Sequence, residues 1–225
     1  MNSEIILKHI NQIASRMPPV SYSDVTDNDL IRLSRNDDDD AFAVLVTRYR
    51  AKVFSLAFRM VGNYEEAEDV SQEAFINAYR ALGTFRLGDR FSSWIYRIAT
   101  NLSIDHLRKR PHREISIDAP ANAEGDMFIQ LPDTSNDPER RVVEAEFKAM
   151  VEKAIQELSP AYRAVVVLRH VHNLSYEEIA DVIKIPLGTV KTRLFRAREM
   201  LKTRVQASSG HVPMSENRPW PRPAC

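Results

Sequence analysis

The sequence predicts an all-α protein: two small helical domains joined by a flexible acidic linker, the second ending in a helix-turn-helix. Three observations lead there. Apolar residues recur at spacings of three and four through residues 27–110 and 138–205, and no strand-like alternation rises above noise. The periodic runs open on Thr, Asp, Asn or Ser, and several close on Gly or Pro, the residues that start and stop helices. Between the two blocks Pro111 ends the periodicity, and residues 111–137 set Glu114, Asp118, Glu124, Asp126, Asp133 and Asp137 against Arg113 alone.

Residues 1–26 form an extension in which Ile5, Ile6, Leu7, Ile10 and Ile13 suggest a helical turn or two before Met17-Pro18-Pro19 stops it. Thr26 with Asp29 resembles a capping box opening a short helix, and the run Asp37 to Asp40 favours the start of a longer one. The inner stripe of that longer helix is Phe42, Leu45, Val46, Tyr49, Val53, Leu56, Ala57 and Met60, and Gly62-Asn63 ends it. Asn63, with Glu66 three residues on, caps the next helix. Its inner face is Ala67, Val70, Ala74, Ala78 and Leu82, and Gly83 is expected to end it. After residues 84–90, Ser92 is expected to cap a third long helix with Ile95, Ile98, Ala99 and Leu102 inward.

In the second block Asp137-Pro138 places a cap before a first-turn proline, followed by the apolar stripe Val143, Phe147, Met150, Val151, Ala154 and Leu158. Ser159-Pro160 repeats the device for a helix carrying Tyr162, Val165, Val166 and Leu168. Ser175 with Glu178 forms another capping box. The final helix turns Val190, Leu194, Ala197 and Leu201 to one side, leaving Lys191, Thr192, Phe195, Arg196 and Arg198 for others. Residues 206–225 turn to Ser, Gly and Pro and are expected to be a disordered tail.

At 225 residues and 44% hydrophobic content, each domain has enough apolar material for a core. The formal net charge is zero, which excludes a uniformly basic nucleic-acid coat; any DNA affinity must come from local segregation of charge. That segregation is present. Residues 86–113 hold seven basic side chains against Asp89 and Asp105, and residues 184–204 hold seven against Glu199. The single cysteine, Cys225, supports no intrachain disulfide and no Cys-based zinc site, and a reducing compartment is expected. Glu4, Lys8, His9, Asn11 and Gln12 interrupt any signal or spanning segment, so the chain is expected to be cytoplasmic, without membrane insertion. His106, His112, His170 and His172 form no ligand set and read as surface or helix-end residues; no metal, cofactor or catalytic residue is expected.

The chemistry lies in the basic helices. A helix, a turn containing Ile185-Pro186, and Gly188-Thr189 opening a basic helix match the order of a helix-turn-helix whose second helix enters a DNA groove. Small residues there allow close approach, and the free amides of the first turn suit phosphate. Lys191, Thr192 and Arg196 are candidates for phosphate or base-edge contact. The same pattern occurs in response-regulator output domains, so by itself it says only that the chain binds DNA. Upstream, Phe85, Phe91, Trp94 and Tyr96 alternate with Arg86, Arg90 and Arg97. Some of these rings, Trp94 first, read as core, yet aromatics among arginines also suit separated strands, where stacking supplies about 1–3 kcal/mol per base. The acidic helix with Glu65, Glu66, Glu68, Asp69 and Glu73 repels phosphate and predicts a basic protein partner instead.

The run Asp69-Val70-Ser71-Gln72-Glu73-Ala74-Phe75-Ile76-Asn77-Ala78-Tyr79-Arg80, then Phe85-Arg86, then Phe91-Ser92-Ser93-Trp94-Ile95-Tyr96-Arg97-Ile98-Ala99-Thr100-Asn101, resembles the second conserved region of bacterial sigma factors of the extracytoplasmic-function (ECF) group. Leu174-Ser175-Tyr176-Glu177-Glu178-Ile179-Ala180 and Gly188-Thr189-Val190-Lys191-Thr192-Arg193 resemble that group's fourth region. The resemblance implies a transcription initiation factor that binds core RNA polymerase through Asp69, Gln72, Glu73, Phe75 and Arg80. It implies minus-ten contacts by Phe85, Arg86, Arg90, Trp94, Arg97, Asn101, Arg108 and Lys109, with a flipped base held by the loop at residues 83–90 together with Asn101. Minus-thirty-five contacts would come from Gly188, Thr189, Lys191, Thr192, Arg193, Phe195 and Arg196. Implied partners are core polymerase, promoter DNA and an anti-sigma factor, commonly membrane-anchored; the acidic linker would thread toward the polymerase active-site channel. Two rivals stay open at this point: a helix-turn-helix regulator acting without polymerase, and an adaptor using only the acidic helix.

Overall fold

The computed structural model describes residues 22, 24–109 and 138–208. The expected N-terminal turns, the acidic linker, the Asp137 cap and the proline-rich tail lie outside the described residues. Those that are described form two compact units, one within residues 1–111 and one within 112–225, and they contain helices and no named strand.

The first unit holds α1 (Asp27–Ser34), α2 (Asp39–Val61), α3 (Tyr64–Arg80), a 3-10 turn (Leu82–Thr84) and α4 (Phe91–Lys109). Its caps are those the residues call for. The Thr26 hydroxyl accepts the Asp29 amide, Asp38 accepts that of Ala41 and Asn63 accepts that of Glu66; such caps contribute about 1 kcal/mol each. Gly62 closes α2 at φ 78°, its amide donating to the Phe58 carbonyl at 2.8 Å. Helices α2, α3 and α4 pack pairwise, and α1 lies on α2. The core between them includes Leu30, Ile31, Phe42, Leu45, Leu56, Met60, Val70, Ala74 and Ile95, all buried. Tyr79 donates to Asp39 at 2.8 Å while its ring meets Phe42 edge-on at 5.0 Å, pinning α3 to the start of α2.

Two helix boundaries differ from the sequence expectation. Helix α3 ends at Arg80 with Ala81 as its cap, and Gly83 sits inside the 3-10 turn. Leu82 is 4% exposed, and its burial tightens the chain into that turn before the glycine is reached. Helix α4 starts at Phe91, so Ser92 falls in the first turn and is not the cap; Trp94 donates its amide to the Arg90 carbonyl. The Phe91 ring, 2% exposed, fixes the entry point.

The second unit holds α5 (Pro138–Gln156), α6 (Pro160–His170), α7 (Tyr176–Ile183) and α8 (Leu187–Ser208). Ser175 and Glu178 form the full reciprocal capping box of α7, at 3.1 and 2.8 Å. Pro160 occupies the first turn of α6, although the Ser159 side chain makes no cap bond. Helix α8 packs on α5, α6 and α7, burying Val190, Leu194, Ala197 and Leu201 as the periodicity predicts. The connection from α7 to α8 turns at Lys184, φ 53°, followed by Ile185-Pro186. Phe147, expected inward on α5, is 39% exposed: Val151, Ala154 and Ile155, one turn and more farther on, take the buried face.

Candidate nucleic-acid interface

In the first unit the acidic face of α3 is open to solvent. Glu65, Glu68, Asp69 and Glu73 are exposed, and Gln72 is partly so. Glu66 is drawn away from that face by His106, whose Nε2 lies 2.9 Å from its carboxylate and ties the end of α4 to the start of α3. Arg80 is exposed in the last turn. Phe75 is 3% exposed, so its ring faces the core, as do the neighbouring Ala74 and Ile76. Phe75 can shape the face only by seating the helix.

Between α3 and α4 a loop is presented by a buried anchor. Phe85, 3% exposed, packs edge-on against Trp94 at 5.3 Å and Phe91 at 6.1 Å, leaving no free ring face for a base. The aromatic reading of this segment is therefore corrected: Phe85 and Phe91 are the platform, Tyr96 is buried, and Trp94 alone among them is partly open. Residues 86–90 are all exposed. On α4 the buried stripe Phe91, Ile95, Ala99, Ser103 leaves Trp94, Arg97, Asn101 and Arg108 along the opposite side, with Lys109 exposed beside them. Arg108 lies 3.5 Å from Asp105, an exposed pair that solvent weakens. The loop and this stripe together form a cationic surface with one available aromatic edge.

In the second unit α8 presents the side away from its core. Phe195 is 67% exposed, and Lys191, Thr192 and Arg196 are exposed. Thr189 and Arg193 are partly so. Thr192 donates its hydroxyl to the Gly188 carbonyl at 2.9 Å, leaving its oxygen lone pairs outward. Gly188 is exposed, and a Cβ built there would have no atom within 4 Å. The chain's own packing thus gives no reason for a glycine at that position, which a close-approaching external surface would.

Three contributors escaped the sequence reading. Arg163, 7% exposed, donates to the carbonyls of Leu158 and Gln156 and so closes the C-terminal end of α5. Arg35 and Asn28, at the two ends of α1, bond the backbone of the loop after α3. His170 ends α6, in line with the helix-end expectation, and is half-buried there; desolvation first, then Arg198 and Arg169, lower its pKa to about 4. Among the described residues no cluster of His, Cys, Asp and Glu could hold a metal, and no helix is long and apolar enough to cross a membrane.

Residues 45–113 match the family model described as Sigma-70 region 2, and residues 148–201 match that of Sigma-70, region 4. The chain is 42% identical to the ECF RNA polymerase sigma factor SigW of Bacillus subtilis, over 78% of this chain and 95% of SigW. It belongs to the ECF sigma factors. The RNA polymerase sigma-H factor of Pseudomonas aeruginosa is 40% identical over 80% of this chain and 94% of its own. Among solved structures, this sigma factor is similar in fold to CnrH in complex with the cytosolic domain of CnrY, with a TM-score of 0.57 and 25% identity over 80% of this chain and 97% of that one. The region 2 match falls on the first unit and the region 4 match on the second, in the order the motifs led one to expect.

Proposed function

We propose that this ECF sigma factor directs core RNA polymerase to promoters by dividing the work between its two units. The first, residues 27–110, grips the enzyme through Asp69, Gln72, Glu73 and Arg80 on α3, whose exposed acidic face suits a basic protein surface and repels phosphate. Its loop at residues 83–90 and the stripe of Trp94, Arg97 and Asn101 on α4 take the non-template strand of the minus-ten element. Arg86, Arg90, Arg108 and Lys109 supply the charge there, while Phe85 holds the loop from below. Extruding a base costs a few kcal/mol, which stacking and a pocket can offset without a nucleotide fuel. Strand separation is then a binding event, and the chemistry of RNA synthesis belongs to the polymerase.

The second unit, residues 138–205, lays α8 in the minus-thirty-five major groove. The first-turn amides of Leu187 and Gly188 lie toward phosphate, beside Thr189, and Lys191, Thr192, Arg193, Phe195 and Arg196 lie toward phosphates and base edges. Residues 111–137 join the units as a linker toward the polymerase channel. Cytoplasmic action and control by an anti-sigma factor fit the same reading; CnrH, of similar fold, is described with the cytosolic domain of CnrY bound. The observation that carries the proposal is the pairing, in one chain, of region 2 and region 4 signatures with oppositely suited surfaces: acidic on α3, cationic on α4 and α8. A regulator that works without polymerase would have no use for region 2, and that rival is not favoured.

Run-off transcription with purified core polymerase tests the proposal. Addition of the full-length chain should give transcripts with discrete start sites. Arg196→Ala should weaken use of promoters that depend on the upstream duplex, while core binding stays intact. If wild-type protein gives no promoter-specific initiation from genomic templates in the absence of any inhibitor, the proposal fails.

A further inference from the structure

The loop at residues 83–90 is held from outside itself. Arg35, the residue capping α1, donates Nε to the Leu82 carbonyl at 3.1 Å and Nη2 to the same oxygen at 2.9 Å; Nη2 also reaches the Gly83 carbonyl at 3.4 Å and donates to that of Phe85. At the other end of α1, the Asn28 side-chain oxygen accepts the Gly88 amide at 2.9 Å. Gly88 stands at φ 101°, a conformation residues with side chains rarely adopt, and the Asp89 amide closes the turn onto the Arg86 carbonyl at 3.1 Å. Between these two fastenings lie the exposed residues 86 and 87, and the exposed residues 89 and 90 follow the second.

We propose that Arg35 and Asn28 are positioning residues for minus-ten recognition: α1 braces the recognition loop at both ends and sets its shape before DNA arrives. This rests on the reading that residues 83–90 take the separated strand. The chemistry favours arginine at position 35, because a planar guanidinium directs several donors at once, and here they converge on carbonyls of three residues along one bend; an ammonium is a single point with no such fork. A loop already ordered loses less entropy when it captures a base, so the brace raises both affinity and selectivity. Releasing it leaves the base-contacting side chains in place but lets them sample other arrangements.

The test uses full-length Arg35→Gln, Arg35→Lys and Asn28→Ala, each reconstituted with core polymerase and challenged with promoter fragments randomised over the minus-ten segment, the upstream duplex held constant. Arg35→Gln should bind the segment selected by the wild type about tenfold more weakly, roughly 1.4 kcal/mol, and should flatten its base preference; Arg35→Lys should fall between. Asn28→Ala should show a smaller effect in the same direction together with faster hydrogen exchange at the Gly88 amide. Core affinity and the preference at the upstream duplex should not change. A direct phosphate contact by Arg35 would instead reduce the salt dependence by about 0.7 in slope without altering base preference, and that result overturns the proposal. Loss of preference in Arg86→Ala and Arg90→Ala but not in the α1 variants also overturns it, while the loop reading survives. If Arg86→Ala and Arg90→Ala change nothing, the loop reading falls and takes the brace with it. Should Arg35→Gln melt early, Asn28→Ala decides, since its one bond to the loop lies at the surface.

Discussion

Substituting Gly188 by alanine should move stability and DNA binding in opposite directions, and the structure supplies both signs. The position is in the first turn of α8, its φ lies outside the left-handed region, and an added Cβ meets nothing within 4 Å. Alanine there is unstrained and reduces the freedom of the unfolded chain, so the second unit should gain about 0.5 kcal/mol. For a unit of this size that raises its melting transition by roughly 2 to 4 °C. The same methyl group would stand where the first-turn backbone meets the DNA. The amides of residues 187 and 188 precede the first intrahelical bond and are those a phosphate can reach. Lengthening one charge-assisted bond of that kind costs about 1.5 kcal/mol or more, which is a tenfold or greater loss in affinity for the upstream duplex. Calorimetry on the full chain and holoenzyme titration with the duplex selected by the wild type measure the two effects. A variant that is more stable and binds equally well would refute the close approach of α8 through its amino end. A variant that is less stable would show that the space around Gly188 has been misjudged.

Phe75→Ala and Asp69→Ala should separate core packing from partner contact. The first removes a buried ring and should destabilise the first unit by about 3 to 5 kcal/mol, so that any loss of polymerase affinity follows its melting curve. The second, at an exposed site, should leave melting unchanged and lower only core affinity; equal loss of polymerase and DNA binding would contradict it. Arg163→Met should cost the second unit roughly 1 to 3 kcal/mol in urea unfolding, because the carbonyls of Leu158 and Gln156 lose their guanidinium donor without gaining water. His170 binds its proton less tightly folded than unfolded, its pKa falling from 6.5 to about 4. The unfolded state therefore takes up protons first as pH drops. Stability is complete above about 6.5 and declines toward 4, by of order 2 kcal/mol at pH 5, and His170→Gln should flatten that decline in unfolding measured at pH 7.5 and 5.

Helices and their inner stripes were legible because they depend on short-range periodicity. The run from Phe42 to Met60 and that from Val190 to Leu201 needed only the 3.6-residue repeat, and Thr26, Asn63 and Ser175 announced their caps by side-chain chemistry three residues deep. What escaped was set by contacts distant in sequence. Whether Phe85 faces solvent or core depends on Trp94 and Phe91 across a loop, and no local pattern distinguishes a buried aromatic from a stacking platform when both alternate with arginine. Arg35 lies 47 residues from the carbonyl it holds, in a segment that reads as an ordinary helix end with a basic residue suited to the dipole. The clustering that drew attention to arginines 86, 90 and 196 gives no signal at Arg35 and Arg163, which spend their charge on backbone carbonyls.

That division bears on how the surfaces function. Arginines aimed outward from α8 and from the loop after α3 are effective only if the backbone beneath them keeps one shape, since a side chain of this length loses considerable rotamer freedom on binding and a mobile support adds to the loss. In the second unit α8 supplies that support itself, packed along its apolar stripe on three neighbouring helices. The loop at residues 83–90 has no such stripe. Its rigidity comes instead from a buried ring below, a positive-φ glycine at its turn and hydrogen bonds from a helix earlier in the chain. On the proposed reading, duplex readout therefore needs only the apolar face of α8 and the side chains that the helix itself presents. If the loop takes the separated strand as proposed, its capture depends also on Arg35 and Asn28, and substitutions there should alter promoter choice.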